Sequence, residues 1–217
     1  MKLDPGFKQF YQWCKDHDVP FIIVSRQAIF YNSNRRLSHT ISICDFTLRL
    51  LLCSGMAPLI RAILSALIGE EDASQIEIIA NDVTLFDDGK WDIKYRHPSR
   101  YVPCAALGQG QLSRTHIHPS GTANSGFGHD KSQAILPYRR LEKPPTIFFL
   151  GDGVSDISAA RWADVLFAKQ KPNGENDLAT YCTREGIKHL EISDFSQAIP
   201  VLASIVNGEK SVAEVMA

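Results

Sequence analysis

Apolar positions along the 217-residue chain alternate between a helical period and short unbroken runs. Near the amino end, Phe7, Phe10, Tyr11 and Cys14 recur at i, i+3, i+4 and i+7 after Asp4-Pro5-Gly6, which predicts an amphipathic packing helix. Residues 20–25, Pro-Phe-Ile-Ile-Val-Ser, then read as a buried strand. A second apolar run at 147–150 is β-branched and aromatic and lies between Pro144-Pro145 and Gly151. It predicts a central parallel strand. Between the two lie a helix from Pro58, whose proline suits a first turn, and a strand from Gln75. Asp88-Gly89 between alternating runs signals a hairpin. Towards the carboxyl end the pattern predicts a helix from Asn176 stopped by Gly186, an edge strand over 187–192 and a helix around 195–206. Strands alternating with helices predict an α/β fold, a parallel sheet with helices on both faces and a small β-hairpin.

Two stretches, 26–53 and 100–124, break this pattern. Together they hold six Arg, no Lys or Glu, one Asp and three of the five cysteines. Neither keeps a period of 3.6 or 2, and loops of such length are uncommon inside compact domains. Both are expected to lie outside the sheet as non-native insertions, read as translated noncoding sequence, with genuine surface insertions as the rival. His116 and His118 fall in the second stretch and are not taken as a metal pair.

Composition narrows the classes. A net charge of −1 provides no field to attract nucleic acid. The amino terminus lacks the apolar core of a signal peptide, so a cytoplasmic location is the default. The apolar run from Leu48 to Gly69 is interrupted by Arg49, Pro58 and Arg61 and falls short of the roughly 20 residues of a membrane span. Five cysteines without a C-x-x-C indicate neither a disulfide framework nor a zinc site.

The candidate chemistry lies where the 147–150 strand ends. Asp152 and Asp156 stand four apart in Gly151-Asp152-Gly153-Val154-Ser155-Asp156, at the strand end where open α/β sheets bind ligands. Oxygen ligands in this arrangement suit Mg²⁺. The string Phe-Phe-Leu-Gly-Asp-Gly-Val-Ser-Asp-Ile-Ser-Ala-Ala resembles motif IV, the metal-binding motif of the haloacid dehalogenase-like hydrolases. With 26–53 removed, Phe-Ile-Ile-Val-Ser25 runs into Ser54-Gly55-Met56 and resembles motif II of that family. With 100–124 removed, Gly128-His-Asp-Lys131-Ser at the head of a helix resembles motif III.

The resemblance is to the phosphoserine phosphatase-like and methylthiopentenyl-phosphate phosphatase-like branch. It implies a Rossmann-like core, Mg²⁺ at Asp152 and Asp156, phosphate at Ser54, Gly55 and Lys131, and catalytic roles for Lys131 and Ser54. The implied substrate is a small phosphorylated metabolite, hydrolysed through an aspartyl-phosphate. The nucleophile motif, a strand ending in D-x-D, is not found. Asp16-His17-Asp18 sits at a helix end with Pro20 where that motif has Thr or Val. The first strand and most of the cap are therefore expected to be missing and the chain to be inactive. The alternatives are a catalytically dead phosphate-binding or regulatory protein and, more distantly, another doubly wound domain such as a nucleotide binder.

Overall fold

A computed structural model describes residues 3–24, 40–44, 56–94 and 131–217. Six parallel strands form one sheet in the order β3-β1-β2-β6-β7-β8, from β1 (Phe21–Val24), β2 (Thr40–Cys44), β3 (Glu77–Ile79), β6 (Thr146–Gly151), β7 (Val165–Lys169) and β8 (Leu190–Ile192). An antiparallel hairpin, β4 (Asp82–Leu85) and β5 (Trp91–Lys94), follows β3. Gly89 takes φ 78° in its turn, a backbone region glycine enters without penalty. The fold is α/β, as the alternating pattern predicts.

Side chains of β6 alternate between two cores because successive strand residues point to opposite faces. Phe148 and Leu150 join the core that includes Phe7, Phe10 and Cys14 of α1 (Phe7–Asp16), Ile60 and Leu64 of α2 (Ala57–Ile68), Ala73 of α3 (Glu70–Gln75) and Leu202 of α7 (Ile199–Val206). Ile147 and Phe149 join the other, with Ile135 of α4 (Ser132–Arg139), Ala159 and Ala160 of α5 (Ile157–Ala160), and Leu178 and Cys182 of α6 (Asp177–Arg184). Helices thus cover both faces, and β6 is buried on both, which is why its sequence is an unbroken apolar run. Full burial of each such side chain contributes roughly 1.5–3 kcal/mol.

The structure corrects one expectation outright. Thr40–Cys44 lies within 26–53, yet it is the central strand, hydrogen-bonded to β1 on one side and β6 on the other. Thr-Ile-Ser-Ile-Cys is rich in β-branched residues, and in the sheet its backbone polar groups are paired on both edges. The expectation that 26–53 lies outside the sheet therefore does not hold for Thr40–Cys44. Residues 100–124 lie outside the described residues. The last strand is also shorter than 187–192, because Gly186 (φ 66°) turns the chain and the Ile187 N–H is spent on the Cys182 carbonyl at the end of α6.

Candidate functional site

β6 delivers its carboxyl end into a tight turn over Val154–Asp156 and then α5. Asp156 folds back across this turn and is wholly buried. One carboxylate oxygen, Oδ2, accepts from the backbone N–H groups of Asp152 and Gly153, each at 3.0 Å. The other, Oδ1, accepts from Lys131 Nζ at 2.6 Å. Gly151 permits this closure, since a Cβ there would stand 2.7 Å from both Cγ and Oδ2 of Asp156.

Lys131 occupies the position just before the first turn of α4, and its side chain is only 1% exposed. A buried ammonium is tolerable only when paired and hydrogen-bonded, and Asp156 does both. The structure therefore brings Lys131, Asp152 and Asp156 together. Asp156 braces Lys131 and the turn, whereas Asp152 is half-buried and holds the surface side of the site. Ser54 and Gly55 lie outside the described residues. The segment after them is anchored at the same sheet edge: Met56 bridges to Asn81 in parallel, and the Ala57 N–H donates to the Asn81 carbonyl at 2.7 Å.

The Asp16-His17-Asp18 pair is elsewhere. Asp16 is the last residue of α1, and the chain then enters β1, so the pair sits at the amino edge of the parallel sheet, opposite Asp152. Asp18 adopts φ 52° there, a turn conformation that Asp tolerates better than most residues.

No family model matches the chain. Polyol phosphate phosphatase PYP1 of Saccharomyces cerevisiae is 31% identical to it over 224 aligned positions, which take in all of this chain and 69% of the yeast protein. The chain belongs to the family of that phosphatase. Pdp3-interacting factor 1 of Schizosaccharomyces pombe is 35% identical over 196 positions, 89% of this chain and 60% of that protein.

In this family member a further cation stands at the site edge that the sequence pattern marks only as a loop. Gly151 of β6 pairs with Ala168 of β7, and β7 ends one residue later, so Lys171 leaves the sheet beside the turn that carries Asp152. Its ammonium is ion-paired with Asp177, the first residue of α6. That hydrogen bond pushes the Lys171 ammonium above its ordinary range, against a smaller loss of hydration, and the charges of Asp177 and then Asp152 add to the rise. Asn176 accepts from Ala179 N–H as the helix cap while its Nδ2 donates to the Ala168 carbonyl, tying the start of α6 to β7. Among the described residues, no helix is long and apolar enough to cross a membrane.

Proposed function

We propose that this chain has the catalytic core of a Mg²⁺-dependent phosphomonoesterase of the haloacid dehalogenase-like type, acting on a small phosphorylated metabolite. The printed activity of the yeast relative makes a polyol phosphate the first substrate class to try. The observation that carries the reading is the buried Lys131–Asp156 pair clamped to the Asp152 turn at the carboxyl end of β6. Ordinary capped turns do not need a fully buried ion pair, which costs desolvation on both partners.

The donor chemistry fits Mg²⁺. Both Asp156 oxygens are engaged by Lys131 and two amides, so Asp152 is the carboxylate that would hold the cation. Bound Mg²⁺ would supply electrostatic stabilisation of phosphate charge. Lys131 and the two amides hold the carboxylate of Asp156 and the turn fixed, so that Asp152 is presented in one position. The Asp152 and Gly153 N–H groups cannot rotate away while Asp156 holds them.

Hydrolysis through an aspartyl-phosphate needs a carboxylate nucleophile on a strand end. Among the described residues, Asp16 and Asp18 are at the wrong sheet edge to supply it, and slow turnover by the chain alone is proposed on that ground. A phosphate-binding protein without turnover is the second reading, motivated by the same placement of Asp16 and Asp18. The test is phosphate release from aryl phosphate and from polyol phosphates, with Mg²⁺ and with chelator. Slow release is expected from the chain alone, and release several orders of magnitude faster once a strand ending in D-x-D is supplied ahead of it, the scale a nucleophile contributes. Asp152→Asn should abolish the faster reaction. Fast Mg²⁺-independent release unaffected by Asp152→Asn would overturn the proposal. Fast release from the unaltered chain that Asp152→Asn removes would refute the slow-turnover part. It would direct attention to Asp45, which follows β2 in the sequence and lies outside the described residues.

A further inference from the structure

The buried pair leaves a question of charge. Lys131 and Asp156 neutralise each other, and Asp152 adds a negative charge at the mouth of the site. A phosphate monoester carries about 1.5–2 negative charges near neutral pH; the Mg²⁺ proposed at Asp152 would offset part of that charge, and a cation of the chain that is not already cancelled in the interior would add direct hydrogen bonds to the phosphate oxygens. Lys131 cannot serve alone, because its side chain is 1% exposed and locked at 2.6 Å to Asp156.

Lys171 has what is missing. It leaves the sheet two residues beyond the end of β7, the strand next to β6, on the edge where the Asp152 turn lies. Its side chain is 26% exposed, and its partner Asp177 is 45% exposed, so the pair is in contact with solvent and can be opened at small cost. The backbone beneath it is held firmly. Gln170 N–H donates to the Ile192 carbonyl at 2.8 Å, Lys171 N–H to the Glu175 carbonyl at 2.8 Å, and Gly174 N–H back to the Lys171 carbonyl at 2.9 Å. A flexible four-carbon ammonium on a fixed base can turn between two anions without moving the chain.

We propose that Lys171 is a phosphate-recognition residue of this site, held by Asp177 when the site is empty and turned onto the phosphate oxygens of the ligand when it is filled. This deepens the phosphomonoesterase reading and rests on it. Asp177 acts as a competing anion that sets how tightly phosphate is held. Charge-assisted hydrogen bonds to phosphate are the strong class, so loss of this one should be visible in binding alone.

The experiment measures binding of inorganic phosphate to the full chain by calorimetry in Mg²⁺ buffer, with circular dichroism confirming that each variant folds. Lys171→Met is expected to weaken phosphate binding roughly tenfold and Lys171→Arg to retain most of it. Asp177→Asn should tighten it, since the lysine is released. Lys143→Met, which removes the same charge from the exposed loop before β6 at the opposite edge, should change nothing. Phosphate affinity within twofold of the unaltered protein in Lys171→Met, while Asp152→Asn loses the Mg²⁺ dependence of binding, would overturn the role of Lys171 and leave the site reading standing. Equal weakening by Lys171→Met and Lys143→Met would also overturn it, as a general charge effect. No saturable phosphate binding to the unaltered chain would defeat both the site reading and the role of Lys171.

Discussion

Asp156 carries more of the site's integrity than its position in a short motif suggests. Replacing it by Asn keeps an oxygen for the two turn amides but deprives the buried Lys131 ammonium of the counter-charge of Asp156. Asp156→Asn is expected to cost about 3–5 kcal/mol, the scale for breaking a buried pair from one side, against a total stability of about 5–15 kcal/mol. Lys131→Met should cost less, because the remaining carboxylate still accepts from two N–H groups. The double variant should be less destabilised than the two single losses added together, since residues in one ion pair couple strongly. Urea unfolding of the four proteins checks this. Additive losses would mean that the pair is not the unit that holds the turn.

At the scale of elements, the sheet depends on β2. It fills the place between β1 and β6, with Ile43 level with Ile22 on one side and Phe149 on the other. Without it the two apolar strands that sequence pattern makes most legible would be separated by a gap. Proline at position 43 removes a backbone donor in the middle of a central strand, where proline is otherwise not found. Ile43→Pro is expected to cost about 3 kcal/mol or more, which lowers Tm by about 6–12 °C at the 2–4 °C per kcal/mol usual for this chain length. A thermal melt with unchanged Tm would show that β2 does not hold the centre of the sheet.

At the scale of the molecule, and among the described residues, each of the two cores contains a buried thiol. Burial pushes Cys14 up to about 12 and Cys182 up to about 11, the latter partly offset by the charge of Arg161. Tyr11, beside Cys14 on α1, is raised as well, first by burial. In the unfolded chain a thiol titrates near 8.5, so above that pH the unfolded state gives up protons that the folded state keeps. Stability is therefore fully present below about pH 8.5 and is lost as pH rises towards about 12, at up to ~1.4 kcal/mol per pH unit for each thiol. Urea unfolding between pH 8 and 11 should show this decline. Cys14→Ala, although less stable at every pH because of the cavity, should show a shallower slope. An unchanged slope would mean that Cys14 is not the titrating group.

Local features were set by the sequence alone. The apolar face of α1, the β6 run, the hairpin at Asp88-Gly89 and the turn from Asp152 to Asp156 all follow from spacing, chain punctuation and the sterics of glycine over fewer than about ten residues. Lys131 at the head of α4 was legible in the same way. What the sequence could not determine was which partners meet across long separations. The place of β2 depends on unpaired backbone groups of β1 and β6 that only the assembled sheet brings face to face. The motif left open whether Asp156 binds metal through water or braces Lys131, and the bracing contact is seen only when Lys131, 25 residues earlier, is packed against it. Lys171 lies near Asp152 through the register of β6 on β7 and the start of α6, and no spacing along the chain encodes that register.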